Sequence, residues 1–339
     1  MFAKWFFQAM PPDFFVLAGF LGSGKTTLLL DFLRQSTAGE TAVIVNDVGE
    51  INIDGAIVSG IEGGLDMATL QDGCVCCSLG NDLLFTIEAL LAQRAASGRP
   101  PFCRIVLECS GLSRPGKIIS TLRNLAVSGF RLSVLSTFDC TNNPLAGVGF
   151  DDAAAQLTAA RKIILTKLDR VDAGGRERAR EAVRSINPLA TILCEPDPQR
   201  RALAAFTLDD AVEIPDFADI TTPAALDHRR IEIFLARFAV PPTWPDLSDW
   251  LENFAGALGD RLLRVKGIVR LSDCPEPVLL QAVGTSFSQP LLMKNAMPAD
   301  SALVIIARDT GMDELRAVVP VLGMVFSRSR DRRRTLICT

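Results

Sequence analysis

Gly19-Phe20-Leu21-Gly22-Ser23-Gly24-Lys25-Thr26-Thr27 stands between an apolar run at residues 14–18 and a second apolar stretch at residues 28–33. That order reads as strand, glycine loop, helix, and the loop satisfies G-x-x-x-x-G-K-[ST] at every fixed position. The pattern describes a phosphate cradle. Glycines let backbone N–H groups turn inward around phosphate oxygens, and the new helix aims the positive end of its dipole at them. Gly22, Ser23, Gly24 and Thr27 belong to this cradle, Lys25 reaches the terminal phosphates of a nucleoside triphosphate, and the Thr26 hydroxyl holds Mg2+. A chance glycine turn would not bring both flanks with it.

Working outward, short apolar runs recur at residues 41–45, 104–107, 132–138, 163–165 and 191–193. Each ends in a polar signature: Asn46-Asp47-Val48-Gly49-Glu50, Glu108-Cys109-Ser110-Gly111, Asp139, Thr166-Lys167-Leu168-Asp169 and Cys194. Helical stretches such as 82–95 and 153–160 separate them. Short buried strands alternating with helices predict an α/β fold of the P-loop NTPase kind, a mainly parallel sheet covered by helices on both faces. Ligands of such sheets gather at the carboxyl ends of the strands, which is where the polar signatures fall.

Residues 195–225 are proline-rich and acidic, which places a boundary near 216–226, with a nucleotide-binding domain over 1–220 and a second domain over 226–339. In the second part, residues 230–238, 262–271 and 302–307 read as strands. Leu247, Trp250, Leu251, Phe254 and Leu258 make one apolar helical face, and 313–325 reads as a final helix. That is a smaller α+β domain whose stripes are core.

Composition narrows the function. With 339 residues, 48% hydrophobic content and a net charge of −4, the chain has length for two cores and no basic excess to suggest nucleic acid. Arg328, Arg330, Arg332, Arg333 and Arg334 read as a solvated tail, with an anionic partner the weaker option. Trp5, Phe6 and Phe7 are cut short by Pro11, Pro12 and Asp13, so neither a membrane span nor a cleaved leader is expected. A cytoplasmic address and free thiols for most of the nine cysteines follow. His228, the one histidine, limits imidazole chemistry.

Thr166-Lys167-Leu168-Asp169 is a T-K-x-D close to the N-K-x-D with which GTPases read guanine. The Asp169 carboxylate can accept two N–H donors from the guanine edge, and the Lys167 stem can lie along the purine face. Threonine in the first position leaves open how the turn is fixed. Glu108 ends a buried strand where phosphate-loop enzymes carry an acidic magnesium partner, and Asp139 competes for that role. Asp47, Glu50 and Asp54 lie in a glycine-containing segment suited to sensing the γ-phosphate. Cys74, Cys76 and Cys77, in Gly73-Cys74-Val75-Cys76-Cys77, put three thiols within four residues. Such thiolates can converge on zinc, copper(I) or cobalt; a redox cluster or buried cysteines are the alternatives.

Taken in order, the glycine loop, Val45-Asn46-Asp47-Val48-Gly49-Glu50-Ile51-Asn52-Ile53-Asp54, Gly73 to Cys77, Glu108-Cys109-Ser110-Gly111-Leu112-Ser113-Arg114-Pro115 and Thr166 to Asp169 resemble a CobW-type GTPase, a group related to the urease and nickel-hydrogenase maturation GTPases. Leu262-Leu263-Arg264-Val265-Lys266-Gly267 resembles the second domain of that family, so the likeness spans about residues 14–325. The resemblance implies GTP hydrolysis coupled to handling a metal, with Lys25 and Glu108 catalytic and Thr26 and Glu108 on Mg2+. Cys74, Cys76 and Cys77 become ligands for Zn2+ or Co2+, with Glu50 a nearby carboxylate. Its implied partner is a client metalloenzyme or cofactor protein, and a homodimer is compatible with it. Val45 stands where relatives often carry an acid, and no histidine-rich stretch is present, so transfer fits better than storage. Activation of a corrinoid or other cofactor protein, or a non-hydrolysing scaffold, are the competing functions.

Overall fold

The computed structural model describes residues 12–35, 40–46, 66–70, 79–127, 130–208, 228, 230–294, 301–320 and 322–328. Their strands fall into two compact units.

The first unit is a seven-stranded parallel sheet. In chain order its strands are β1 (Asp13–Gly19), β2 (Thr41–Asn46), β3 (Asp66–Leu70), β4 (Arg104–Glu108), β5 (Arg131–Asp139), β6 (Lys162–Thr166) and β7 (Thr191–Leu193). In space they run β3-β2-β4-β1-β5-β6-β7, so the strand feeding the glycine loop lies mid-sheet, between those ending in Glu108 and Asp139. Helices α1 (Lys25–Leu33), α2 (Leu79–Ala96), α3 (Pro115–Val127), α4 (Phe150–Ala159) and α5 (Ala173–Ile186) occupy connections between the strands, and α6 (Pro198–Ala205) follows β7.

Both strand faces are covered, which explains the unbroken apolar runs. Phe15 and Leu17 pack with Leu28, Leu29 and Phe32 of α1 and with Ala202, Ala205 and Phe206 at α6. Phe14, Val16 and Ala18 alternate with them and are equally buried. Each of the buried Phe, Val and Leu side chains contributes about 1.5–3 kcal/mol on leaving water, so the strand that carries the loop is firmly anchored.

Two sequence expectations needed extension. β3, Asp66-Met67-Ala68-Thr69-Leu70, lacks the run of Ile, Val and Leu that marks its neighbours and so did not announce a strand; β2 supplies its ladder, and Arg94 at 2.8 Å and Arg99 hold its Asp66. Within the proline-rich stretch, Asp197 accepts from the Arg200 N–H at 2.8 Å and Pro198 starts a helix there, a normal N-terminal arrangement.

The second unit is an antiparallel sheet. Its strands β8 (Ile231–Phe238), β9 (Leu262–Val269), β10 (Val278–Val283), β11 (Ser286–Phe287), β13 (Ala302–Arg308) and β14 (Met324–Arg328) are ordered β11-β10-β9-β13-β8-β14, and β12 (Leu291–Leu292) pairs with β10. Helix α7 (Trp244–Leu258) lays Leu247, Trp250, Leu251, Phe254 and Leu258 on it, with Trp250 and Phe254 stacked at 4.6 Å. The expected final helix over 313–325 is corrected. A short helix α8 (Met312–Arg316) is followed by β14 on β8. Pro320 cannot donate a helical N–H, Gly323 turns the chain at φ 60°, and Phe326 is buried while Val325 faces outward, a strand alternation. The expected junction near 216–226 lies outside the described residues.

Candidate functional site

Gly19 ends β1 in a conformation open to glycine, at φ 147°, and a Cβ there would run into the Thr137 hydroxyl of β5. Gly22 and Gly24 take φ 67° and 92°, so the loop reverses twice over before α1 begins. Gly24 is the N-cap and brings no side-chain acceptor to the first turn of α1, the arrangement that suits an anion on its N–H groups. Lys25 folds back over the loop, Nζ donating to the Gly19 carbonyl at 3.0 Å and the Phe20 carbonyl at 3.4 Å.

The two oxygen donors expected on Mg2+ meet. Thr26 Oγ1 donates to Glu108 Oε1 at 2.6 Å across 82 positions of chain. Glu108 is 3% exposed at the end of β4, and its register with Leu17 of β1 places it beside the loop. A hydroxyl and a carboxylate, both hard oxygen donors, fit Mg2+. Asp139, the competitor, is engaged elsewhere: its Oδ1 accepts from the Thr141 N–H at 2.8 Å and hydroxyl at 2.7 Å, and its Oδ2 faces Lys167 Nζ at 2.5 Å. Burial pushes the Asp139 carboxyl up, but the hydrogen bonds from Lys167 and Thr141 outweigh it and hold the group below its ordinary value.

Threonine in the T-K-x-D position does have a fixing role. Thr166 Oγ1 lies 2.8 Å from the Ser23 carbonyl of the phosphate loop and 3.1 Å from that of Phe138. Ser23 and Thr137 share a further hydroxyl bond at 2.6 Å. Lys167 takes a left-handed conformation at φ 53°, which turns the chain so that the Asp169 side chain stands 80% exposed. Arg176 Nη2, from α5, donates to the Leu168 carbonyl at 2.9 Å and braces that turn. Thr137, Thr141 and Arg176 had no motif to mark them; they are defined by what the strand ends and α5 bring together.

Phe20 and Leu21, at the loop apex, are seated by glycines. A Cβ on Gly149 would strike the Phe20 ring, and one on Gly111 would strike Leu21. Cys109, next to Glu108, is buried, and desolvation pushes its thiol up to about 12 against the lowering effect of Lys25, so it is an inert neighbour. Cys74, Cys76, Cys77 and Glu50 lie outside the described residues. Among the described residues no three His, Cys, Asp or Glu side chains gather as a metal site, and no helix is long and apolar enough to cross a membrane.

A glycine loop between a central parallel strand and a helix, with a hydroxyl and a carboxylate meeting beside it, defines a P-loop nucleotide-binding protein. Two family models match the chain: the CobW/HypB/UreG nucleotide-binding domain over residues 13–194, and the cobalamin synthesis protein CobW C-terminal domain over 231–319. The chain belongs to the CobW/HypB/UreG family. It is 31% identical over 283 residues to the zinc chaperone YjiA of Escherichia coli, covering 80% of this chain and 86% of that protein. The zinc chaperone CobW of a Sinorhizobium species is 25% identical over 311 residues, covering 81% and 86%. In fold it is similar to the Zn(II)-bound YjiA GTPase of E. coli, with a TM-score of 0.60 at 24% identity over 91% of this chain and 97% of that one.

Proposed function

We propose that this chain is a GTP-hydrolysing metallochaperone of the cytoplasm that carries Zn2+ as cargo and hands it to a client metalloenzyme. The observation that carries the GTPase part is the 2.6 Å bond joining Thr26 to Glu108, which unites the phosphate loop with the strand-end carboxylate. The zinc part rests on the Cys74-Val75-Cys76-Cys77 thiols and on kinship with zinc chaperones. Co2+ is a second cargo the thiols would accept. Residues 1–220 form the nucleotide domain in this reading and 226–339 the second domain.

Lys25 leaves its loop carbonyls for the β- and γ-phosphate oxygens of GTP, and the N–H groups at the start of α1 hold the same phosphates. Asp169 accepts from the guanine edge while Lys167, anchored on Asp139, keeps the turn in place. Thr26 and Glu108 would hold Mg2+, which would supply charge neutralisation at the transferring phosphoryl group. Lys25 and the loop N–H groups add electrostatic stabilisation to the same charge, and turnover without a client is slow. In this reading GTP would hold the Asn46–Asp54 segment at the γ-phosphate, the thiols follow on the same excursion with Glu50 a candidate ligand beside them, and zinc affinity would then depend on nucleotide state. Linkage then requires nucleotide affinity to depend on zinc.

The test is zinc affinity of the full chain with GDP and with a non-hydrolysable GTP analogue, beside phosphate release. Differing affinities that become equal in Cys76→Ser support the reading. Equal affinities in the native protein remove the coupling, and absence of guanine-nucleotide-dependent phosphate release removes the GTPase.

A further inference from the structure

Helix α4 carries a buried amide that the nucleotide reading has not used. Gln156 is 1% exposed, and its Nε2 donates to the Gly111 carbonyl at 2.9 Å and to the Ser113 carbonyl at 3.0 Å. Two acceptors at one atom fix the amide's orientation, because its oxygen in that place would oppose both. The carbonyls belong to the turn that begins just after Glu108 and Cys109, closed by the Ser113 N–H on the Ser110 carbonyl at 3.0 Å. Arg114, at the end of the same turn, reaches Asp152 of α4 at 2.8 Å.

The helix also touches the phosphate loop. Gly149, its N-cap, receives the Phe20 ring, and Gly111 of the turn receives Leu21. One helix therefore braces the loop apex and the turn after Glu108 together. A buried amide costs roughly 1–3 kcal/mol when its bonds are lost. The neighbouring inward positions of α4 are Ala153, Ala154 and Leu157, where packing alone decides. A leucine at 156 would fill the space without that risk, so the amide needs the turn as its reason.

We infer that Gln156 is a positioning residue that holds the 110–113 turn in register with the phosphate loop, so that the site distinguishes a nucleoside triphosphate from a diphosphate. This rests on the reading of the site as one for GTP. The turn follows the carboxylate that meets Thr26 and packs on the loop apex, so its placement sets what stands next to the terminal phosphate. Gln156 itself touches neither nucleotide nor metal.

The experiment uses the full-length protein with fluorescent GDP and a fluorescent non-hydrolysable GTP analogue in Mg2+, with unfolding temperature recorded alongside. Gln156→Leu is expected to keep GDP affinity while its preference for the triphosphate analogue, and kcat, fall about tenfold, the scale of one or two buried hydrogen bonds. Gln156→Glu sets a carboxylate against two carbonyls. It should match the leucine variant at about pH 8 and recover toward the native ratio at about pH 6, where a protonated carboxyl again donates. The native protein should show no such rise.

A folded Gln156→Leu with the native ratio overturns the inference, as does one that loses both nucleotides equally, which would be a role in folding alone. Should the leucine variant not fold, the glutamate pH series decides, and no recovery on acidification overturns it. Native protein that binds neither nucleotide sinks the GTP reading and this inference together; native binding with indifferent variants sinks the role of Gln156 alone.

Discussion

The Thr166 hydroxyl lies 2.8 Å from the carbonyl of Ser23, joining the 166–169 turn, proposed to read the base, to the phosphate loop across 143 positions. The two ends of a nucleotide site are thereby held at a fixed separation by one side chain. Thr166→Val keeps the shape and loses the bond, leaving a buried carbonyl without its donor. We expect a loss of about 1–3 kcal/mol in stability, read by urea unfolding, and weaker GTP binding, with Thr166→Ser close to native.

Glu108→Gln removes the charge that meets Thr26 while preserving volume. Phosphate release at saturating GTP should fall about a hundredfold or more, the usual scale for loss of electrostatic help to a transferring phosphoryl group. Nucleotide affinity measured without Mg2+ should change little. A native hydrolysis rate in this variant would show that Glu108 does not serve the metal.

Asp169 stands exposed, with Arg170 Nε 3.9 Å from its carboxylate. Its carboxylate is expected to bond the 2-amino group of guanine, which inosine lacks. Competition binding should show GTP preferred over ITP by about tenfold to a hundredfold, the range of a charged hydrogen bond, and Asp169→Ala should level the two.

Asp139 supplies the pH dependence. Its folded pKa lies below the ordinary aspartate value, so its share of stability is present above that value and is lost as pH falls through the folded one. Unfolding free energy followed from pH 7 to about pH 3 should drop less steeply in Asp139→Asn than in the native protein. The variant should also start lower at pH 7, because Lys167 loses its acceptor.

Gly149→Ala adds one methyl against the Phe20 ring. Nucleotide affinity should fall, and Phe20→Leu should restore part of it in the double variant, the signature of two groups in contact. Additive effects would show that loop apex and α4 act independently.

Much of this arrangement was legible in the chain. The order strand, glycine loop, helix fixed where β1 and α1 lie, because a phosphate loop tolerates neither a side chain at Gly19 nor a break before α1. Buried strands such as β4 and β6 announced themselves by continuous apolar residues ending in Glu108 and Thr166. β3 did not, since Met67, Ala68 and Thr69 make no continuous aliphatic run and the segment is a strand by pairing with β2. The C-terminal helix expected over 313–325 failed because apolar spacing alone ignores Pro320 and Gly323. At the site, motif residues were readable and their supports were not: Thr137 and Gln156 act on a hydroxyl and on backbone carbonyls far away in the chain, and Arg176 on the Leu168 carbonyl just before its helix, and no local pattern encodes that.

Lys25 has a last consequence. Its ammonium already rests on two carbonyls of its own loop, at 3.0 and 3.4 Å, so a phosphate group arrives as a competitor for that cation. A lone inorganic anion, with a single foothold, gains little from such an exchange. A chain of phosphates that also reaches Thr26 and the head of α1 would gain more, and only such a ligand would be expected to draw the ammonium off both carbonyls.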